Sequence, residues 1–241
     1  MRWGETMTSY GELRGHAEVW PCVVSRGYVI DAEFQEGSFL ADYAKKGLWK
    51  KVLGMLVPDN PLVNVNQFWP GDGTLSTVLH RAAELDAPDV VVQGLLDRGA
   101  LRSLRNAEGL TAYEVAANAG QAPSRLQLLT PPPSPFGAEE LIRLDAVVAE
   151  VIDHYIQPLF GGHDLRRILR YPPVEVLHEP PGQELWMQVP GMMGGFRMTL
   201  RGSHVELLGG YRRFDESAVH VTTHGFVVTT SGWELVHESQ T

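Results

Sequence analysis

Thr-Val-Leu-His-Arg-Ala-Ala, residues 77–83, is the stretch that decides the fold. It is repeated 34 positions later, where residues 111–117 read Thr-Ala-Tyr-Glu-Val-Ala-Ala. Each copy is followed by a second short apolar run, which in the first copy continues to residue 100. A period in the low thirties is typical of stacked helix pairs, each too small to bury its own apolar face. The repeat therefore favours an extended binding surface over a catalytic pocket.

The composition indicates a globular protein with one extended or two compact domains. The chain has 241 residues, of which 44% are hydrophobic and 20% charged. Its net charge of −9 opposes binding to nucleic acid or anionic lipid, both of which reward clustered Lys and Arg. The single Cys22 fits a reducing compartment, and we see neither a signal peptide nor a membrane-spanning apolar run. We therefore expect a cytoplasmic protein that binds neither nucleic acid nor membrane.

The repeated stretch resembles the ankyrin repeat. That family's pattern is Thr-Pro-Leu-His-x-Ala-Ala followed by Val-Val-x-Leu-Leu-Leu-x-x-Gly-Ala, and residues 77–100 carry most of it. A divergent copy follows at 109–129, and a weaker copy precedes it at 39–66. Three ankyrin-type repeats are therefore expected over residues 38–130, which is about the minimum for a stable stack. Val78 and Ala112 replace the proline of the motif, so these helix starts lack its fixed φ.

The resemblance implies that the first helix of each pair and the turn fingers line a concave binding face. It also implies that His80 has a structural role and forms a hydrogen bond with the turn of the neighbouring repeat. Phe68 and Trp69 lie in an insertion, residues 67–73, at a finger position; we expect them to anchor a partner, or instead to shield the first repeat or dock the C-terminal domain. The candidate partner-binding residues of this region are Asp42, Lys45, Phe68, Trp69, Arg81, Glu84, Arg102, Arg105, Glu114 and Asn118.

The remaining chain predicts a second domain and a separate N-terminal segment. Residues 131–137 are rich in proline and read as a linker. Residues 138–241 predict a small α+β domain, in which a helix over 139–155 packs on an antiparallel meander. Residues 1–37 form an N-terminal segment, whose strand-like runs pair as a hairpin or cap the repeats. The expected strands of the meander are 174–177, 185–189, 196–200, 205–208, 219–223 and 226–230, with turns at 202–203 and 224–225.

The predicted fold class is thus α+β, an ankyrin-type helical stack followed by a helix-on-sheet domain. Residues 185–196 resemble an element found behind ankyrin repeats in some bacterial proteins, which implies a recurring architecture and no activity. Met192 and Met193 lie in the glycine-rich loop of this element. They are candidate partner contacts if exposed, because methionine adapts to apolar surfaces.

No constellation of residues predicts a catalytic, cofactor or metal site. His220 and His224 are about 13 Å apart along a strand, too far to share a zinc ion whose ligands sit about 2 Å away. Residues 71–76 start like a dinucleotide fingerprint but end in serine, and Cys22 in its apolar run reads as a buried structural thiol.

The sequence therefore predicts a non-enzymatic protein–protein interaction module that inhibits or regulates a bacterial cytoplasmic partner, as a monomer or weak homo-oligomer. One alternative is an enzyme with its site in the C-terminal domain, to which the repeats recruit substrate. Another is a structural, self-associating protein. The acids and bases available to the enzyme alternative are His178, Glu179, His204, Glu206, His220, Glu234 and His237.

Overall fold

The computed structural model describes residues 14–69, 73–191, 193–214 and 219–240. The chain divides after Cys22 and again after Pro133 into two compact units. We call residues 23–133 the repeat unit. The chain on either side of it, within the described residues, is the sheet unit. Each unit has its own core, and the α+β class predicted from the sequence is confirmed.

The repeat unit consists of three stacked helix pairs. The first helices of the pairs, α1, α3 and α5, pack side by side in chain order, and so do the second helices α2, α4 and α6. A 3-10 turn at Arg26–Tyr28 precedes α1, which begins seven positions before the expected start of the first repeat. The helices are α1 (Asp31–Lys45), α2 (Trp49–Met55), α3 (Val78–Glu84), α4 (Asp89–Leu96), α5 (Ala112–Asn118) and α6 (Pro123–Leu129).

Small side chains allow the first helices to approach closely. Ala82, Ala83 and Ala116 are fully buried at 0% exposure in the core that the three pairs share. Leu79 and Leu95 add the larger apolar groups that fill the space between pairs. Burial of an apolar side chain of this size away from water contributes about 1.5–3 kcal/mol to folding. Because the three pairs share this core, each pair depends on its neighbours for stability.

Hydrogen bonds join successive pairs through their turns. The Nε2 atom of His80 lies 3.1 Å from the carbonyl oxygen of Leu110, and Nδ1 lies 2.9 Å from the Thr77 hydroxyl. A carbonyl only accepts, so Nε2 carries the proton and Nδ1 accepts from Thr77. Asn66 acts similarly, donating to the Gly99 carbonyl at 2.8 Å and accepting from the Leu101 amide at 2.9 Å. The structural role predicted for His80 is confirmed.

The described part of the sheet unit contains six strands in sequential order. Strands β2 to β6 form an antiparallel meander, while β1 joins its edge in parallel with β2. The long helix α7 (Ala138–Ile156) packs on β4, β5 and β6. The strands are β1 (Glu18–Trp20), β2 (Glu184–Gln188), β3 (Gly194–Arg201), β4 (His204–Phe214), β5 (Val219–Thr229) and β6 (Gly232–Gln240).

The N-terminal segment is divided between the two units: its described residues 14–22 belong to the sheet unit, and residues 23–37 belong to the repeat unit. Trp20 donates from its indole nitrogen to the Arg170 carbonyl at 2.7 Å, and the Cys22 thiol donates to the Gln188 carbonyl at 3.0 Å. The predicted hairpin is therefore wrong, because β1 pairs with β2, while residues 23–30 adjoin α1 in the repeat unit. Residues 27–30 do not form its second strand, because the chain turns there as a short 3-10 helix. The repeat unit is thus inserted in sequence between β1 and α7.

Two predicted elements of the meander differ from the structure. Val174–His178 is a 3-10 helix that follows two prolines, and not a strand. β5 runs straight through His224 and Gly225, where a turn was predicted, and a bulge sits between Gly225 and Phe226. The following strand, β6, was not predicted, because the extra residue at the bulge interrupts the alternation of apolar and polar side chains in β6. Among the described residues, no helix combines the length and apolar composition needed to cross a membrane.

Candidate functional site

A groove that is open to solvent lies between α1 and α3 in the repeat unit. The floor is made of small side chains on one face of α1, at the helical spacing of four and then three residues. Polar groups from the loop before α3 form the opposite wall. The lining residues are Gly37, Leu40, Ala41, Ala44, Lys45, Gln67, Trp69, Ser76, Thr77, Val78 and Arg81.

Trp69 is held at the rim of this groove by packing on α1. Its ring lies 4.8 Å from the ring of Phe34, and the guanidinium of Arg26 covers Phe34 at 3.9 Å. Gly37 makes this approach possible: a Cβ at that position would lie 2.8 Å from the Gln67 amide nitrogen and 3.4 Å from the Trp69 ring. The indole is half-buried and packed against α1.

Arg81 is also fixed, at the α3 side of the groove. One nitrogen lies 2.7 Å from the carboxylate of Glu84 one turn along the helix, and another donates to the Thr74 hydroxyl at 3.3 Å. The Arg81 side chain keeps 18% of its surface exposed. Lys45 approaches from the end of α1, so two cations border the same small apolar floor. This arrangement can receive an apolar side chain together with a carboxylate.

The other candidates from the sequence are distributed differently. Phe68 is only 3% exposed and belongs to the interior. Its burial agrees with the alternative that it shields the first repeat. Burial would raise the pKa of Glu114, but hydrogen bonds from Thr111 and the charge of Arg105, 3.1 Å away, hold it below its ordinary value. Arg105 and Glu114 therefore form an ion pair outside the groove. Asp42 and Asn118 are exposed, Arg102 is half-buried, Met193 is exposed in the sheet unit, and Met192 and residues 70–72 lie outside the described residues.

The sequence missed the small residues of the floor. Gly37, Ala41 and Ala44 recur at i, i+4 and i+7 on α1, which is the spacing of one helix face. Such a stripe is also compatible with plain helix packing. Only the position of Gln67 and Trp69 over it identifies the groove.

The sheet unit contains a second arrangement of polar groups. The Tyr155 hydroxyl on α7 lies 2.5 Å from Nδ1 of His224, and Nε2 of His224 lies 3.1 Å from the Glu238 carboxylate. The carboxylate accepts from Nε2, so Nδ1 accepts the phenol proton, and the three groups form a hydroxyl–imidazole–carboxylate chain. His224 retains 17% of its side-chain surface exposed and Glu238 65%.

The strand register explains why these groups meet. Phe196, Gly209, His224 and Glu238 are direct neighbours across β3, β4, β5 and β6. A Cβ at Gly209 would lie 2.8 Å from the Phe196 ring, so only glycine lets that ring lie flat along the row. Tyr155 then packs edge-on against Phe196, with the ring centroids 5.4 Å apart. The hydroxyl is thereby directed at the imidazole.

The described acids and bases that were considered for an enzyme are distributed over several elements of the sheet unit. Within the described ranges, no three His, Cys, Asp or Glu side chains are grouped as metal ligands would be. His237 lies 3.3 Å from the hydroxyl of the buried Thr223. Cys22 is 3% exposed, and burial raises the pKa of its thiol to about 12, which confirms the predicted buried thiol. The chain matches no family model, no curated protein and no solved structure.

Proposed function

We propose that the repeat unit is an ankyrin-type protein-binding module that grips a segment of a protein partner in the α1–α3 groove. The observation that carries this proposal is the fixed pair of Trp69 and Arg81 at opposite sides of a small-residue floor. Tryptophan and arginine are the side chains most often responsible for binding energy at protein interfaces. We place the protein in a bacterial cytoplasm, where its binding would inhibit or regulate the partner.

Preorganisation supports binding in this groove. Trp69 is stacked on Phe34, and Arg81 is held by Glu84 and Thr74, so neither side chain must be ordered when the partner arrives. Each immobilised flexible side chain otherwise costs about 0.5–1.5 kcal/mol of binding free energy. A groove with both anchors in place avoids that cost.

The groove chemistry defines the kind of segment it receives. The floor of Gly37, Ala41 and Ala44 accepts a small apolar side chain, and Trp69 covers it from one side. Lys45 and Arg81 lie at its border and favour a neighbouring carboxylate. We therefore propose a partner segment in which an acidic residue adjoins a small apolar one.

The test is capture of the partner from the native host with purified wild type and variants. Trp69→Ala and Arg81→Ala each lose the partner, while urea unfolding verifies that both variants are folded under the conditions of the capture. The matched control is Tyr28→Ala, an exposed aromatic of the same unit that does not line the groove. Retention of the partner by both groove variants contradicts the proposal.

Catalysis in the sheet unit is the second candidate function, and the Tyr155–His224–Glu238 chain favours it. The order of groups is the one in which a base, oriented by a carboxylate, activates a hydroxyl. A panel of nitrophenyl esters tests it: hydrolysis that wild type performs and Tyr155→Phe does not would support this candidate. Equal rates for both proteins exclude it.

A further inference from the structure

The three helix pairs show which side of each pair faces its predecessor. Aligned by their last residues, α1, α3 and α5 place Phe39, Val78 and Ala112 at one position, and Tyr43, Ala82 and Ala116 one turn later. In α3 and α5 these positions pack against the preceding helix and are at most 5% exposed. The first pair has no predecessor among the described residues of the repeat unit. Phe39 is accordingly 50% exposed, and Tyr43 is half-buried.

An aromatic pair on that end is unusual for a free surface. Terminal repeats are ordinarily polar on the outer side, because nothing covers them. Here Phe39 and Tyr43 stack with their centroids 6.3 Å apart, where the next pairs carry valine or alanine. Leu48, 40% exposed, follows directly after α1. The end of the stack is therefore apolar where a terminal cap should be polar.

Lys51 of α2 lies beside this aromatic pair. Its ammonium nitrogen is 4.7 Å from the centroid of the Tyr43 ring, and the side chain is exposed. A partner that covers Tyr43 therefore meets a positive charge, which favours a carboxylate beside the partner's apolar side.

The lysines of the chain are concentrated near this aromatic pair. All four lysines of the protein fall within residues 45–51, although its net charge is −9. Lys50 and Lys51 are exposed at the start of α2, beside the aromatic pair. Asp42 on α1 and Asp59 after α2 are the acids nearest to them in sequence. We call Phe39, Tyr43, Leu48, Lys50 and Lys51 the end face.

We propose that the end face docks an acidic amphipathic helix of a partner protein, which occupies the place of a preceding repeat. Its apolar side covers Phe39 and Tyr43, and its carboxylates pair with Lys50 and Lys51. A second copy of this chain fits less well. Two end faces meeting each other would oppose their lysines.

The experiment uses the full chain and fluorescently labelled helical peptides that share one alanine–leucine face. The peptides carry glutamate, glutamine or lysine beside that face, and single-stranded oligothymidylate is a further probe. Polarisation is expected to show binding of the glutamate peptide and its weakening as salt rises. The double variant Lys50→Glu/Lys51→Glu and the variant Phe39→Ser each weaken it at least about tenfold, equivalent to 1.4 kcal/mol.

Two controls separate this surface from the rest of the protein. Arg143→Glu reverses an equally exposed charge in the sheet unit and leaves peptide binding unchanged. Trp69→Ala separates the two surfaces: peptide binding that survives this substitution belongs to the end face, and peptide binding that it abolishes belongs to the α1–α3 groove and overturns the proposal. Thermal melting verifies that each variant is folded.

Three other results would also overturn the proposal. The first is equal binding of the glutamine and glutamate peptides. The second is tighter binding of oligothymidylate that the same variants abolish, which assigns the end face to nucleic acid. The third is a dimer in light scattering that dissociates in Phe39→Ser and excludes the peptide, which assigns it to a second copy.

Discussion

The guanidinium of Arg125 and the carboxylate of Asp89 meet at 2.6 Å although the residues belong to different helix pairs. The arginine side chain is 8% exposed and the aspartate side chain 56% exposed, so the contact lies at the boundary between the interior of the stack and solvent. Arg125 thereby couples the third pair to the second through a charge-assisted bond in addition to the apolar core.

Replacing Arg125 by methionine keeps the apolar stem and removes this bond. We expect the free energy of unfolding of the repeat unit to fall by about 1–3 kcal/mol, since hydrogen bonds to charged groups contribute on that scale. Urea denaturation measures the change. Arg143→Met is the control, because its pair with Glu139 is exposed and surface pairs contribute only about 0–1 kcal/mol. Equal effects of the two substitutions would contradict the assigned role.

His80→Leu tests the hydrogen bond between the second and third pairs. Leucine fills most of the buried space but leaves the Leu110 carbonyl and the Thr77 amide without their imidazole partner. An unsatisfied buried polar group costs about 1–3 kcal/mol, so the unfolding midpoint in urea should fall accordingly. Hydrogen exchange of the Thr77 amide should also accelerate. Unchanged exchange at that amide would show that the bond does not persist in solution.

Gly37→Ala should weaken partner binding without unfolding the repeat unit. The added methyl would lie 2.8 Å from the Gln67 amide nitrogen, so the Gln67 side chain must move, and the methyl fills the floor beside the Trp69 ring at 3.4 Å. We expect lower affinity for the captured partner and a stability change below about 1 kcal/mol. Gly54→Ala in α2 is the matched control, since nothing lies within 4 Å of its added carbon. That control should stabilise the helix by about 0.5–1 kcal/mol and leave affinity unchanged.

Asp145 gives the sheet unit a pH dependence. Burial raises the pKa of its carboxyl from 3.8 to about 6, and Glu175 adds to the shift, although the carboxyl accepts from the Val174 amide at 2.7 Å. The folded state therefore binds this proton more tightly than the unfolded state. The stabilising contribution of the protonated form is complete below about pH 4 and is lost as the pH rises through 6.

Asp145→Asn keeps an acceptor for Val174 and removes the charge. At pH 7 we expect the variant to be more stable than wild type by up to about 3 kcal/mol, the equivalent of the shift. At pH 4 the two proteins should unfold at the same urea concentration. A constant difference at all pH values would mean that Asp145 is not the titrating group.

The Cys22 thiol should report opening of the β1–β2 edge. Its pKa of about 12, raised by burial, leaves little of the reactive thiolate at pH 8. Labelling by a disulfide reagent should be about a thousandfold slower in the folded protein than in urea, where a thiol has its ordinary pKa of about 8.5. Rapid labelling without denaturant would contradict the burial of this strand edge.

Local patterns predicted the repeat unit better than the sheet unit. The threonines before α3 and α5 and the alanines within them mark two helix pairs directly. The pairing of β1 with β2 joins residues more than 160 positions apart, and no local pattern encodes it. At His224 and Gly225 a glycine inside a continuous strand looks the same in sequence as one that permits a turn.

The groove could be predicted only in part. Trp69 and Arg81 were identified because large aromatic and arginine side chains stand out in a turn and on an outward helix face. The floor of α1 was not, because small residues at helical spacing also serve ordinary packing. Tyr155 and His224, 69 positions apart, become a pair only through the register of the sheet.

The insertion of the repeat unit between β1 and α7 gives it two covalent attachments to the same fold. A single protease cut at either junction would leave both fragments held by the backbone bonds of the β1–β2 pair. The two junctions, after Cys22 and after Pro133, could therefore join the same sheet unit to a longer or shorter set of repeats, or to repeats with different surface residues. New recognition could thus arise without any change in the order of the strands.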